Sequence, residues 1–260
     1  MRDNYLKNIL LTNKKALVLG GSGLLGTEII NALSDAGCSI LNLDFKDNKR
    51  KKNDIKFIKF DVGLNKFDLK LKKIIKKFNP DIFINCSYPT YKSWKKSNFK
   101  NINLKGMTEN LKIHLNSYAW SAKLVADNMK KKKINGSIIQ LSSIYGLVGQ
   151  NSKMYEFVNG MNPNMTYSII KGGITNLTRQ MAAQYGKYNI RINNVCPGAV
   201  IGHNKGTKKK INKKFIQNYS SQVPMARLAL PSEVAGAVLF LSSKLSSYIT
   251  GTNLIIDGGW

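Results

Sequence analysis

The sequence is poor in acidic residues, histidine and cysteine: of 260 residues, 14 are Asp or Glu, two are His and three are Cys. With only His114 and His203 available, a histidine-rich zinc site is not expected, and we predict no metal site. Cys38, Cys86 and Cys196 are far apart and form no C-x-x-C pair. This spacing favours reduced thiols in a cytoplasmic protein over a disulfide framework.

Long apolar runs are also missing. No stretch reaches the roughly 18 consecutive apolar residues that a membrane-spanning helix requires. Residues Met1 to Asn13 lack the charge, apolar run and small-residue site of a signal peptide. We therefore expect no membrane association, a cytoplasmic location, and one domain over residues 1–260 with a sizeable core.

What the chain has in excess is lysine, which brings the formal net charge to +27. Such a charge can indicate nucleic-acid binding. However, 36 of the 41 basic residues are Lys and only five are Arg, the residue that dominates specific base contacts. The lysines are dispersed, so we expect a solvated surface and no nucleic-acid partner. The charge could still attract anionic substrates or cofactors.

A glycine-rich loop follows the first predicted strand. Residues 15–19 are a short apolar run, and the helical pattern of Thr27 to Ala36 comes after the loop. Strand, glycine turn and helix form the context of a dinucleotide-binding loop, in which the backbone approaches a pyrophosphate at a helix N-terminus. The predicted cofactor contacts in the loop are Gly20, Ser22, Gly23, Leu24, Leu25 and Gly26.

Asp44 ends the second predicted strand, 18 residues after Gly26. An acid at about this distance binds the ribose 2′-hydroxyl and repels a 2′-phosphate, which favours NAD over NADP. Three basic residues follow and could weaken that repulsion: Lys46, Lys49 and Arg50.

Asp61 and Val62 follow the third predicted strand. Asp61 is a candidate for the adenine edge of the cofactor, and capping of a turn is the equal alternative.

Tyr167 precedes Lys171 by four positions in a predicted helix, so the two side chains share one face. A nearby ammonium group favours the phenolate, and we expect the Tyr167 pKa to lie below its usual value near 10. A tyrosine tuned in this way can exchange a proton with an alcohol oxygen while a hydride moves at carbon.

The order of these motifs resembles the short-chain dehydrogenase/reductase family, in its branch of roughly 250 residues. Further matching segments are the strand end at Asn85, the strand before Ser143, the Pro197-Gly198 turn and the last strand before Gly259. Ser143 is preferred over Ser142 because it precedes x-x-Gly. Finer details are similar to members assigned to flagellin or surface-sugar pathways and to gluconate dehydrogenase-like chains.

The alternation of strands and helices predicts an α/β fold with a parallel sheet covered on both faces. The resemblance implies a Rossmann-type doubly wound sheet of seven strands in the order 3-2-1-4-5-6-7. Predicted strands lie near 15–19, 39–43, 56–60, 81–85, 137–141, 190–195 and 253–257, and long helices near 66–78, 104–132 and 164–187.

The resemblance also implies roles for single residues. Tyr167 would be the general acid and base, Lys171 would hold the nicotinamide ribose, and Ser143 would bind the reacting oxygen. Asn85, Pro197 and Gly198 would line the cofactor site. Candidate substrate contacts are Ser143, Tyr88, Tyr145 and Tyr155, and a homodimer or homotetramer is expected.

Three departures from the family pattern concern the site. The glycine spacing G-x-x-G-x-x-G is more usual in the branch that modifies nucleotide sugars. His114 stands where the family places an asparagine, and it could replace that residue in a proton relay with an ionisation near neutrality. Simple packing of His114, or a relay through Asn110, are the alternatives. Ser143 and Tyr167 are 24 positions apart, about twice the usual distance.

The extra residues lie in the segment from Gly149 to Met165, which we expect to shape substrate specificity. Residues 202–222, with His203, Gly206 and Lys208 to Lys210, occupy the place of a substrate lid in the family.

These observations predict an NAD(H)-dependent enzyme that interconverts a secondary alcohol and a ketone on a polar, sugar-like small molecule. A nucleotide-sugar epimerase or dehydratase with retained NAD is one alternative, suggested by the glycine spacing. A non-catalytic NAD-binding scaffold is another, although a protein without activity need not keep Ser143, Tyr167 and Lys171 together.

Overall fold

The computed structural model describes residues 4–47, 55–158, 161–202 and 212–260. The strands in these ranges are β1 Lys15–Leu19, β2 Ser39–Asp44, β3 Ile55–Lys59, β4 Ile82–Asn85, β5 Ser137–Leu141, β6 Arg191–Pro197 and β7 Asn253–Ile256. The helices are α1 Tyr5–Ile9, α2 Leu24–Asp35, α3 Phe67–Phe78, α4 Leu104–Asn110, α5 Asn116–Lys132, α6 Met165–Tyr185, α7 Lys213–Ser220 and α8 Pro231–Ser242.

The strands form one parallel sheet in the order β3-β2-β1-β4-β5-β6-β7, which confirms the predicted topology. In the central pairs, Leu19 lies opposite both Leu43 and Asn85, and Leu141 lies opposite Val195. The carboxyl ends of these strands therefore meet at one edge, where ligands of open α/β sheets bind.

Two apolar layers cover the sheet. On one face, α2 and α8 bury residues such as Ile30 and Val238 against β1 and β4. On the other face, α3, α5 and α6 bury residues such as Leu71, Val125 and Met181. Burial of each large aliphatic side chain stabilises the fold by about 1.5–3 kcal/mol, so the sheet is a rigid platform for the residues at its edge.

The helix predicted over 104–132 is interrupted in the structure. A π-helical turn at Leu111–Leu115 separates α4 from α5. A π-turn fits one extra residue into the helix and is frequent at functional sites. Periodicity alone does not reveal it, because the residues on both sides keep helical backbone angles.

No helix in the part of the chain that the structure describes is long and apolar enough to span a membrane.

Candidate active site

A cavity of about 1290 Å³ opens at the carboxyl edge of the sheet. It brings together most of the residues that the sequence assigned to cofactor and chemistry. The predicted residues in its wall are Gly20, Ser22, Gly23, Leu24, Leu25, Gly26, Asp44, Asp61, Val62, Tyr88, Ser143, Tyr167, Lys171, Pro197 and Gly198.

The glycine loop has the backbone geometry of a phosphate cradle. Gly20 has a φ of +87°, and a Cβ there would collide with the backbone of Ser87. A Cβ on Gly26 would overlap the carbonyl oxygen of Gly20. Gly23 caps α2 without any side-chain hydrogen bond, and a Cβ there would meet nothing closer than 3.5 Å. The first N–H groups of α2 are therefore available for an anion, which fits the pyrophosphate of a dinucleotide.

Asp44 is held at the end of β2 by backbone donors. Its Oδ2 accepts a hydrogen bond from Ser22 N at 2.9 Å, and its Oδ1 accepts one from Lys46 N at 3.2 Å. Beneath the loop, Asn42 Nδ2 donates to Ser22 Oγ at 3.1 Å. A carboxylate has further lone pairs, so Asp44 can still accept from ribose hydroxyl groups. The other two basic residues, 49 and 50, lie outside the described residues.

The remaining cofactor candidates divide into two kinds. Asp61 lines the cavity and also caps a turn, since its Oδ1 accepts from Gly63 N at 2.8 Å. Asn85 does not line the cavity. It is buried and accepts from Ser87 Oγ at 2.7 Å, so it organises the backbone beside the glycine loop.

Ser143 and Ser142 both line the cavity, but their hydroxyl groups have different partners. Ser142 Oγ donates to the carbonyl oxygen of Lys171 at 3.0 Å and is committed to packing against α6. Ser143 Oγ donates to Pro197 O at 3.4 Å and hydrogen-bonds Tyr167, which lowers the pKa of that phenol. Of the two serines, Ser143 is the one that contacts Tyr167, and its role stays a prediction.

Tyr167 and Lys171 lie one turn apart on α6, as their spacing predicts. Asn164 caps this helix by accepting from Tyr167 N at 2.8 Å. The ammonium nitrogen of Lys171 lies 5.6 Å from the centre of the Tyr167 ring and donates to Leu141 O at 2.7 Å. Only 3% of Lys171 is exposed.

The expected lowering of the Tyr167 pKa is wrong for this structure. Burial raises the pKa of Tyr167 to about 12, against which the Ser143 hydrogen bond acts in the opposite direction. The same burial lowers the pKa of Lys171 to about 7. Desolvation disfavours each charged form, and a lysine that is partly neutral near pH 7 stabilises the phenolate less.

His114 lies in the π-turn and is completely buried. Its ring packs against Tyr88 at 5.2 Å and Tyr118 at 5.4 Å between ring centres. Burial, with a smaller contribution from the charge of Lys171, holds the pKa of His114 well below 6.5. The expected ionisation of His114 near neutrality is therefore wrong, because the buried ring stays neutral.

Asn110, the alternative relay residue, is occupied by the backbone. Its Oδ1 accepts from Tyr91 N at 3.0 Å, and its Nδ2 donates to Gly106 O at 2.8 Å. These contacts tie the segment after β4 to α4, whereas His114 is the residue on which the charge of Lys171 acts.

The three tyrosines proposed as substrate contacts lie in different places. Tyr88 lines the cavity and is 54% exposed. Tyr145 and Tyr155 do not line it. Tyr145 Oη donates to Met154 Sδ at 3.2 Å, and Tyr155 Oη donates to Gln150 Oε1 at 3.0 Å. Both therefore support the wall from behind.

Gln150 is the central polar contact of the Gly149 to Met165 segment. Its Oε1 accepts from Asn164 N at 3.1 Å, and its Nε2 donates to Asn164 O at 2.9 Å and Ser168 Oγ at 3.0 Å. The segment thus closes on the N-terminus of the helix that carries Tyr167.

Helix α7, which follows β6, packs against this segment. Asn218 Nδ2 donates to Glu156 O at 2.9 Å, and Tyr219 and Met154 share one apolar cluster. Among the lid candidates, His203, Gly206 and Lys208 to Lys210 lie outside the described residues.

Sequence reasoning missed several aromatic residues of the site, and Trp94 and Tyr118 are the two beside the predicted catalytic residues. Trp94, in a short 3₁₀ helix at Lys92–Lys96, lies 6.3 Å from Tyr167 between ring centres. Tyr118 lines the cavity, donates to Ser87 O at 2.8 Å and lies 5.3 Å from the Lys171 ammonium. The position of Tyr118, four residues after His114, was a usable signal. Trp94 has no comparable signal, because it stands in an irregular segment.

Known proteins are similar to this chain in sequence and in fold. Post-translational flagellin modification protein A of Campylobacter coli is 26% identical over 264 residues, which cover 96% of this chain and 99% of that protein. A D-arabinitol 2-dehydrogenase (ribulose-forming) of Candida albicans (strain WO-1) is 34% identical over 145 residues, 55% of this chain and 47% of that protein.

A crystal structure of a short-chain dehydrogenase from Leptospira borgpetersenii serovar Hardjo-bovis (strain JB197) with bound NAD⁺ has a TM-score of 0.85. It is 28% identical and covers 100% of this chain and 96% of that one. A family model described as enoyl-(acyl carrier protein) reductase matches residues 23–260. Together with the strand order, these matches show that the chain belongs to the short-chain dehydrogenase/reductase family.

Proposed function

We propose that this protein is an NAD(H)-dependent oxidoreductase that interconverts a secondary alcohol and a ketone on a polar, sugar-like small molecule. The observation that carries the proposal is the convergence of Ser143, Tyr167 and Lys171 in the cavity that the glycine loop and Asp44 also line. The whole chain would act as one cytoplasmic domain and assemble as a homodimer or homotetramer.

The residues of the chain divide the chemistry as follows. When bound, the nicotinamide supplies or accepts the hydride. In the reducing direction, the protonated Tyr167 donates its phenolic proton to the carbonyl oxygen, and the product is the alcohol. Ser143 hydrogen-bonds the same oxygen and stabilises the negative charge that develops there. Lys171 holds the ribose and, when protonated, favours the tyrosinate that remains.

The raised pKa of Tyr167 keeps the phenol in the protonated form that reduction consumes, and it also makes the phenol a weaker acid. A phenol with a pKa near 12 is fully protonated at neutral pH and ready to donate. Oxidation of an alcohol requires the tyrosinate, which a cationic Lys171 has to stabilise.

Two observations support the choice of substrate and cofactor. Of the relatives described above, one is named as a dehydrogenase of the pentitol D-arabinitol, and the other is named as a flagellin modification protein. Asp44 favours NAD, since its carboxylate would face and repel a 2′-phosphate.

The test is a panel of pentuloses, pentitols, sugar acids and nucleotide sugars with NADH, NADPH and their oxidised forms, followed at the nicotinamide absorbance. We expect turnover of a ketose or polyol with the NAD couple. Tightly retained NAD that exchanges no hydride with any added substrate, together with product from a nucleotide sugar, would instead indicate an epimerase or dehydratase.

A second candidate is reduction of the acyl chain of a thioester that an acidic carrier protein holds. It is favoured by the description of the matching family model and by the net charge of +27, which would attract an acidic partner. Acetoacetyl-CoA and crotonyl-CoA in the same panel distinguish this activity from the sugar activity.

A further inference from the structure

The imidazole of His114 lacks partners in a place where a substrate could supply them. Neither ring nitrogen has a hydrogen-bond partner among the described residues, and none of the side chain is exposed. Buried polar groups are nearly always hydrogen-bonded, because an unmade bond leaves the full desolvation cost uncompensated. The ring contacts Tyr88 and Tyr118, which both line the cavity.

Aromatic rings bridge His114 and the reacting phenol. The Tyr88 ring lies 5.2 Å from His114 and 6.2 Å from Tyr167, and the Trp94 ring lies 6.2 Å and 6.3 Å from the same two residues. A ligand that reaches both polar groups must therefore pass between these rings.

Tyr88 is the ring that can give way. It is 54% exposed and lies in the irregular segment after β4, where no regular hydrogen-bond ladder restrains it. Rotation of its side chain would open one side of the His114 ring without breaking a strand or a helix, while Trp94 and Tyr118 stay packed against it.

We propose that Tyr88, Trp94 and His114 form a hydroxyl-binding subsite, and that the substrate is a ketone with a hydroxyl group on the carbon next to the carbonyl. The proposal rests on the proposed function, because Tyr167 marks the position of the reacting oxygen. A neutral imidazole has one donor and one acceptor nitrogen and so matches a hydroxyl group, which also does both. Once Tyr88 has rotated, Trp94 remains beside His114, and its ring would cover the C–H surface of the substrate.

A role of His114 in proton transfer alone makes a different prediction. A relay serves every substrate, so its loss would slow all ketones by the same factor. A subsite discriminates, because only a substrate that carries the hydroxyl group gains the bond.

The first experiment needs only the parent enzyme. Initial rates with NADH are measured for butan-2-one, 3-hydroxybutan-2-one and 3-methoxybutan-2-one. We expect kcat/KM for the hydroxyketone to exceed both others at least tenfold, since sites built to bind a hydroxyl group reject analogues that lack it. The methoxy compound keeps the oxygen but not the donor. Equal values for all three ketones would overturn the proposal.

The second experiment uses His114→Leu and His114→Asn. In His114→Leu, the ratio of kcat/KM for hydroxyketone over butan-2-one should fall at least tenfold. His114→Asn keeps a donor and an acceptor and should retain a larger ratio than the leucine variant. A parallel loss with all three ketones would overturn the subsite in favour of a relay.

Ser121→Ala is the matched control. Ser121 is another buried polar residue whose hydroxyl has no partner among the described residues, but it lies on α5 and does not line the cavity. The Ser121→Ala variant should keep the parent's ratio of kcat/KM for the hydroxyketone over butan-2-one. If His114→Leu does not fold, the kcat/KM ratios of His114→Asn and of the parent enzyme still decide whether the subsite exists.

The two proposals can fail separately. A parent enzyme that reduces butan-2-one and 3-hydroxybutan-2-one equally well, and loses both activities in Tyr167→Phe, keeps the proposed function and refutes the subsite. A parent enzyme that reduces none of the three ketones and no pentulose refutes both.

Discussion

The two halves of the cavity are built on different principles. The cofactor half, here residues 15–44 with β1, the glycine loop, α2 and β2, is one continuous stretch whose geometry depends on backbone. The substrate half, here residues 88–101 with the supporting segments 149–165 and 212–222, combines stretches that are far apart in sequence, and of these only residues 88–92 line the cavity itself. Local motifs therefore predict the first half, whereas the second exists only through tertiary contacts.

The contacts within the substrate half show how it is assembled. Asn98 and Asn164 form an isolated antiparallel bridge, and Met165 N donates to Ser97 O at 3.0 Å. Asn218 of α7 reaches the 149–165 segment. The 149–165 segment is thus held by both of the others, and a change in it should alter substrate binding while the cofactor half remains intact.

Tyr167→Phe should give the largest effect, at the point where the two halves meet. Only the transferable proton is lost, so turnover should fall about 10²–10⁴-fold while the Kd for NADH changes less than about twofold. Steady-state rates and NADH fluorescence titration measure the two quantities. Tyr248→Phe, at a fully exposed tyrosine, is the control. Retention of more than about a tenth of the activity would exclude Tyr167 as the acid.

Lys171→Met should separate stability from activity. Because the pKa of Lys171 is lowered from 10.5 to about 7, the unfolded chain holds a proton that the folded protein releases between those values. Stability of the parent therefore rises with pH across this window, and the cost of burying the lysine is largest below pH 7.

Replacing the buried ammonium by an apolar side chain should raise the free energy of unfolding by about 2–4 kcal/mol at pH 6. Each pKa unit corresponds to about 1.36 kcal/mol, and the lost hydrogen bond to Leu141 offsets part of that gain. The gain should shrink by pH 9, and turnover should be lost. Urea unfolding at pH 6 and pH 9 measures the gain in stability, and Lys72→Met, at an exposed lysine, is the control. A gain that is independent of pH would mean that Lys171 is not neutralised by burial.

Asp44→Asn tests the cofactor half alone. The parent should bind NAD more tightly than NADP, and the variant should narrow this preference about tenfold, which is about 1.4 kcal/mol. Titration with both cofactors measures the ratio, while Asp61→Asn should leave it unchanged. Equal or tighter NADP binding by the parent would show that the basic residues after Asp44 outweigh its carboxylate.

Gln150→Ala tests the substrate half alone and should have the smallest effect. It removes the hydrogen bonds that close the 149–165 segment on Asn164. We expect KM for the carbonyl substrate to rise about three- to tenfold, which is about 1 kcal/mol, with NAD affinity unchanged. Lys153→Ala, at an exposed residue of the same segment, is the control. A change in NAD affinity instead of KM would mean that the two halves are coupled.

Much of the site followed from local pattern. Gly20 and Gly26 stand where any Cβ would collide with backbone, so their spacing reports the loop directly. The spacing of Tyr167 and Lys171 follows from the pitch of a helix. Where prediction went wrong, the cause was burial: no local pattern states how much solvent reaches Tyr167, Lys171 or His114, and the extent of desolvation reversed or removed the expected ionisations.

The sequence by itself determined the strand and helix order, the glycine loop and the chemistry-bearing residues, because these depend on backbone sterics and on short-range periodicity. Only the tertiary structure decided that Tyr145 and Tyr155 stand behind the wall, that Trp94 and Tyr118 belong to the site, and that His114 is sealed and neutral. Those facts depend on which distant segments pack together, and packing sets both the exposure of a side chain and the free energy of its charge.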